Sequence, residues 1–240
     1  MVCWMPQVRA LKPRNKISCM KHDDFFSDSD ERLLLQFFKA LNSEWKLCEA
    51  CDETKYKLFT QAEYEGSATL SKAEVLVPVS VSVMIDFLYA QNNSFFDTMK
   101  ILDSTCVEAR VLEVLDPKHK VNIAKFETDT KRSISDKIWS DFSSMLPNGD
   151  AICLSSSTQK GHSLASWTGL GTTRGPLYTS GYYCEHIKGS ENQCILHYVV
   201  QVEPCGRAPV ASDRKRAADY ARNVLAIAKH FYALQGCKST

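Results

Sequence analysis

Long apolar runs are missing from this 240-residue sequence: the longest nearly uncharged stretches, residues 75–85 and 194–202, fall well short of the ~20 residues a membrane helix needs. A block of one charge is missing too. Lys and Arg number 29 against 28 Asp and Glu, a net charge of +1. Without clustered cations there is no surface to neutralise many phosphates, which excludes dedicated nucleic-acid binding. Residues 1–6 are followed by Arg9, Lys12, Arg14 and Lys16 with no apolar stretch behind them, so a secretory leader is not expected. The ten cysteines are therefore read as reduced thiols of a cytoplasmic protein.

The motifs of catalysis and metal binding are also lacking. The six histidines (His22, His119, His162, His186, His197, His230) form no H-x-x-x-H or H-E-x-x-H, and no serine sits in a G-x-S-x-G turn. Cys48 and Cys51 make the one C-x-x-C pair; a structural zinc needs a second pair, and residues three apart on a strand face opposite ways. No metal, cofactor or catalytic group is expected. Nor is there a repeat of 20–50 residues, which excludes solenoids and propellers.

What is present is 44% hydrophobic residues, enough for a sizeable core. Residues 1–22 carry five basic residues and no acid, and Asp23, Asp24, Asp28, Asp30 and Glu31 follow. Such a switch predicts a flexible basic tail over 1–27, running into a helix whose first turn favours carboxylates. Leu33, Leu34, Phe37, Phe38 and Leu41 give that helix its apolar stripe. Strand-rich runs at 44–51, 55–62 and 67–77 follow, then helical period at 80–90 and 93–101. Further strands are predicted at 106–115, 121–126, 136–144, 150–157, 173–186 and 194–202, the last two joined by a polar loop at 188–192. Ser212 or Asp213 then caps the longest helical pattern, which Gly236 stops; Ala217, Tyr220, Ala221, Val224, Ile227, Ala228, Phe231 and Leu234 share one face. Residues 237–240 form a short tail. This order predicts an α+β fold: a curved antiparallel sheet of about nine strands around a long C-terminal helix. A curled sheet of that size gripping one helix leaves a cavity between them.

Several strings, in order over residues 29–234, resemble the StAR-related lipid-transfer (START) domain family. Phe95-Phe96-Asp97 sits where that family has a Trp-Asp pair after its third helix, and Ser135-Asp136-Lys137-Ile138-Trp139 resembles its Ser-Asp-Arg-Asp-Phe strand opening. Thr173-Arg174-Gly175 matches its Val-Arg-Gly. The run from Leu196 through Glu203 and Gly206 to Pro209 resembles its last strand, its Asp-x-x-Gly turn and its helix-leading proline. The resemblance implies a helix-grip domain over 28–236 with a central hydrophobic cavity for lipid. Sterol-carrying members pair an acid with an arginine on adjacent strands inside that cavity. The corresponding places here fall near Ala124 and Ser143, which implies that the pair is absent.

The function expected is therefore non-enzymatic binding, and intermembrane transfer, of a phospholipid, sterol or other hydrophobic ligand by a monomer. The alternatives are a cyclase or hydrolase on the same scaffold, and an interaction module with a collapsed cavity. Strand alternation and the helical stripe, with the resemblance fixing which face is inward, place ligand contacts at Asn122, Ala124, Phe126, Trp139, Asp141, Ser143, Leu177, Leu196, Tyr198 and Val200, and at Val224, Ile227 and Phe231. Replacing Val200 by Trp is expected to fill the tunnel. Residues 207–238 hold seven basic residues (Arg207, Arg214, Lys215, Arg216, Arg222, Lys229, Lys238) against Asp213 and Asp219, which predicts transient contact of the gating helix with an anionic membrane surface.

Overall fold

The computed structural model describes residues 28–61, 69–91, 93–127, 134–157, 172–174, 180–202 and 210–236. The expected basic tail, the 237–240 tail, Leu177 and the turn at 203–209 lie outside them.

Helix α1 (Asp28–Leu41) is followed by strands β1 (Lys46–Cys51), β2 (Tyr56–Thr60) and β3 (Thr69–Val77), then by α2 (Val81–Leu88) and α3 (Asn93–Leu102). Strands β4 (Cys106–Asp116), β5 (His119–Glu127), β6 (Ile134–Met145) and β7 (Ala151–Ser157) come next. The chain continues through β8 (Thr172–Arg174), β9 (Ser180–Ile187) and β10 (Ser190–Val202) to α4 (Val210–Ala221) and α5 (Val224–Gly236). Nine strands form one antiparallel path in the order β1-β2-β3-β10-β9-β7-β6-β5-β4, and β8 pairs in parallel with the start of β6. Three bulges in the β4–β5 ladder and one in β9–β10 bend the sheet around its inner face.

The structure departs from the sequence reading at several points. The strand expected over 173–186 is two strands, because β8 pairs with β6 while β9 sits between β7 and β10. The loop expected at 188–192 is a turn at Lys188-Gly189, where Gly189 takes φ +85°, followed by a bulge before Cys194. Phe95, Phe96 and Asp97 lie within α3, with Phe95 buried against Trp139. The long C-terminal helix is divided at Arg222-Asn223. There the backbone tightens to i→i−3 bonds, from Asn223 N to Tyr220 O (3.1 Å) and from Leu225 N to Arg222 O (2.9 Å). The Arg222 guanidinium anchors the junction, donating through Nε and Nη2 to Glu49 on β1 and through Nη1 to Asp219. Helix α4 begins at Val210, so Ser212 and Asp213 lie inside its first turn rather than capping it.

Both faces of the central strands are covered. On the outer face, Leu34 and Phe37 of α1 pack against Leu70, Phe142, Ile152, Leu154 and Val199. On the inner face, α4 lies over β2, β3 and β10, α5 over β3, β10 and α3, and α2 over β7 and β9. Helix α2 starts at a proper cap: the Ser80 side chain accepts a bond from Val83 N–H at 3.3 Å. Gln235 near the end of α5 donates to the Pro78 carbonyl at 2.6 Å, tying the two helices together. Of the stripe expected to face the sheet, Ala217, Ala221, Val224, Ile227, Ala228 and Phe231 are buried, whereas Leu234 is exposed.

Candidate functional site

Strand β6 carries the site along its inward face. Period-two alternation points Lys137, Trp139, Asp141 and Ser143 the same way, opposite Ala124, Asn122 and Lys120 of β5 for the first three. On the other side β7 places Ser155 beside Asp141 and Cys153 beside Ser143. Tyr182 of β9 and Tyr198 of β10, direct partners in the ladder, stack at 4.3 Å with 13° between ring planes. Gly181 next to Tyr182 is required by close approach: a Cβ there would lie 2.5 Å from Leu154 Cδ2 and 3.0 Å from the Cys153 carbonyl.

These strands wall a cavity of about 120 Å³, lined also by Leu88, Phe95, Met99 and Leu102 of α2 and α3, and by Tyr220 and Asn223 at the α4–α5 junction. Its volume is below the ~300–1,000 Å³ of ordinary ligand pockets. The wall is aromatic: Phe95, Phe126, Trp139, Tyr182, Tyr198 and Tyr220.

The floor is a buried charge centre. Asp141 accepts hydrogen bonds from Asn122 Nδ2 (2.6 Å), Trp139 Nε1 (2.8 Å) and Ser155 Oγ (2.6 Å). Lys120 Nζ lies 3.7 Å from Asp141 Oδ2 and donates to the Ala90 carbonyl at 2.5 Å. It also sits 4.5 Å above the Tyr89 ring and 4.6 Å from that of Phe95. Lys120 is fully buried. Burial raises the Asp141 pKa, opposed by Lys120 and the three donors. The same burial lowers that of Lys120 against the pull of Asp141. All three side chains donate to the carboxyl, an arrangement that favours its charged form. Burial pushes up the Cys153 thiol beside it, and the Tyr182 and Tyr198 hydroxyls. Among the described residues, Asn122 Oδ1 and the Tyr89 hydroxyl are buried without a hydrogen-bond partner, which leaves an acceptor and a hydroxyl unused beside the floor.

The residues expected to touch ligand divide into three groups. Phe126, Trp139, Asp141 and Tyr198 line the cavity, and Asn122 stands behind Asp141 as its donor. Ala124 is buried among Phe95, Cys106, Phe126 and Trp139, and Ser143 is buried one step beyond Asp141 on the same face. Leu196, Val200, Val224, Ile227 and Phe231 instead pack on one another in the core beneath α5. The sequence reading did not place Tyr182, Ser155, Lys137, Met99 or Asn223 at the site. Alternation along β9 would have paired Tyr182 with Tyr198, but the merged 173–186 strand hid its register. A different pair stands inside, Lys120 and Asp141 on directly paired positions of β5 and β6, while Ala124 and Ser143 carry no charge. A lysine at an alternating position reads as solvent-facing from sequence.

No family model matches the chain. No curated protein matches it in sequence. Solved structures do match its fold. Human STARD10 aligns with a TM-score of 0.69 at 17% identity, covering 90% of this chain and 84% of that one. Human StAR-related lipid transfer protein 5 gives 0.66 at 13% identity, covering 85% and 91%. The human StarD13 (DLC2) lipid transfer and protein localization domain gives 0.64 at 19% identity, covering 87% and 98%. At these identities the likeness shows the fold: an α+β, START-like helix-grip domain.

Proposed function

We propose that this helix-grip domain, over residues 28–236, binds one amphipathic lipid in its inner cavity and carries it between membranes without chemically changing it. The observation that carries this reading is the cavity at the α4–α5 junction, aromatic on its walls and polar at its floor. Burying an acyl chain there is worth about 0.8 kcal/mol per CH₂. The structural neighbours whose names include lipid transfer support the same reading.

The gate is the α4–α5 junction, held by i→i−3 bonds and one arginine cluster rather than by a continuous helix. Exposed ion pairs of that kind contribute little, so they hold position without locking it. Lys215 and Lys229 are exposed on these two helices, available to an anionic membrane surface, whereas Arg222 is committed to Glu49 and Asp219. The same reading places the protein in the cytoplasm, where thiols stay reduced, and free Cys48, Cys51, Cys106, Cys153, Cys184 and Cys194 among the described residues are compatible with it.

A second reading, a cyclase or hydrolase on this scaffold, draws on one observation: Asp141 is a cavity-lining carboxyl whose pKa is lifted by burial, as a general acid requires. Against it, both Asp141 oxygens already accept hydrogen bonds, and burial keeps the Cys153 thiol protonated.

Native mass spectrometry of the purified protein separates the readings. One co-purified lipid per chain, recovered intact after incubation, is the expected result. An altered ligand indicates an enzyme. A bare chain that takes up nothing from a panel of phospholipids, sterols, ceramides and fatty acids contradicts lipid binding and indicates an interaction module.

A further inference from the structure

Two lysines point from neighbouring strands into the same inner layer, and their surroundings differ. Lys120 at the floor is spent: it is fully buried, bonded to the Ala90 carbonyl, near Asp141 and covered by the rings of Tyr89 and Phe95. Lys137 is half-buried and lines the cavity. Its Nζ lies 5.3 Å from the Phe126 ring centroid and 5.1 Å from that of Tyr220. Among the described residues no carboxylate reaches it at ion-pair distance. Of the two acids that share the cavity wall, Asp141 is held as described, and Asp103 accepts through Oδ1 from the Thr105 N–H (2.9 Å) and hydroxyl (2.6 Å).

Phe126 and Tyr220 thus form two sides of an aromatic cage of the kind that receives a quaternary ammonium. The chain's own ammonium fills it. A second cation brought there meets repulsion, whereas an anion gains a charge-assisted bond from a lysine that keeps its ring contacts. Position reinforces the point. At ~3.3 Å per residue, Lys137 and Asp141 stand about 13 Å apart along β6, Lys137 beside the α4–α5 junction residue Tyr220 and Asp141 at the floor.

We propose that Lys137 sets ligand specificity: the cavity takes an amphiphile whose anionic group, a phosphate or carboxylate, pairs with Lys137 beside the junction while its apolar part lies against Trp139, and it disfavours choline-type headgroups. This rests on the lipid-binding reading above and adds the headgroup class to it.

The test uses the full chain and two fluorescent probes that share one acyl chain, a lysophosphatidic acid and a lysophosphatidylcholine. The wild-type protein binds the phosphate probe about tenfold or more tightly than the choline probe, and that preference shrinks as salt is raised. Lys137→Gln loses the preference by weakening the phosphate probe alone. Lys137→Arg keeps it, and thermal melting of both variants checks that they fold. Excess inorganic phosphate does not displace the probe. Equal binding of the two probes by wild type, a preference unaffected by salt, or one that survives Lys137→Gln overturns the assignment. Displacement by inorganic phosphate overturns the amphiphile in favour of a free-anion site. If the wild type binds neither probe but takes up another lipid of the panel, the Lys137 assignment alone is overturned; if it takes up nothing from the panel either, the lipid-binding reading itself falls.

Discussion

The layer between the curved sheet and the C-terminal helices has two halves of unlike construction. Beneath α5, Val224, Ile227, Ala228 and Phe231 close on Ala73, Val75, Leu196 and Val200, all nearly or wholly removed from solvent. Beneath the α4–α5 junction the same sheet meets Tyr220 and Asn223 across an open space, with Tyr182, Tyr198, Trp139 and Lys137 in its walls. One half is apolar and filled; the other is aromatic, polar at the floor and incompletely filled. A hydrophobic stripe shows that a face is covered, but not whether the space beneath it is filled. That is why alternation and the helical stripe, with the resemblance fixing the inward face, direct ligand contacts to Val200, Ile227 and Phe231 as readily as to Tyr198.

Substitutions can break or sharpen this contrast. The largest single effect is expected at the polar floor. Asp141→Asn leaves the Lys120 ammonium with the Ala90 carbonyl and two rings, and lowers unfolding free energy by about 3–5 kcal/mol in denaturant titration. Lys120→Met costs less, because Asp141 keeps its three donors. In the filled half, Ile227→Ala costs about 2–5 kcal/mol by leaving a hole, while Tyr220→Ala, beside space already open, costs about 1 kcal/mol. Equal losses at the two positions would erase the distinction. Val200→Trp tests the filled half from the other direction. With Val200 only 4% exposed, it overpacks the core and lowers stability by about 1–3 kcal/mol instead of quietly filling a tunnel.

The smallest effect belongs to the outer face and serves as a control. Burial opposes charge on His197, but Glu185 at 2.9 Å and Glu74 at 3.4 Å outweigh it and raise its pKa above the ordinary value of 6.5. Burial likewise pushes Glu74 up, and His197 with Lys72 pulls it down to about 2 from 4.5. The histidine's contribution is complete below 6.5 and is lost as pH rises through its folded pKa. The glutamate's is complete above 4.5 and is lost as pH falls toward about 2. His197→Gln therefore costs most between those limits, about 1 kcal/mol, and less on either side. Ligand affinity should not follow that profile, because α1 and this network lie across the sheet from the cavity.

Much of the architecture was legible in the sequence, for physical reasons that also mark where it stopped. The α1 stripe from Leu33 to Leu41 declared itself because it buries one face against the sheet, and β5 and β10 read as strands because both of their faces are covered. The break at Arg222-Asn223 did not, since neither residue is a helix breaker like Gly or Pro, and the junction is fixed by Glu49, 173 positions away. The Lys120–Asp141 centre was equally hidden: a buried lysine becomes intelligible only when the Ala90 carbonyl and the rings of Tyr89 and Phe95 are brought around it. Lys137 did stand out as a departure from the resembled strand opening. Its role needed the cage of Phe126 and Tyr220, which no local pattern contains.

Hydrogen–deuterium exchange on the protein with and without the lysophosphatidic acid probe tests the central claim, that ligand occupies the junction half of this layer. Bound probe should slow exchange in residues 218–225 and 137–141, leaving residues 227–234 of α5 and all of α1 as they were. Protection confined to α5, β3 and β10, with the junction unchanged, would contradict the account.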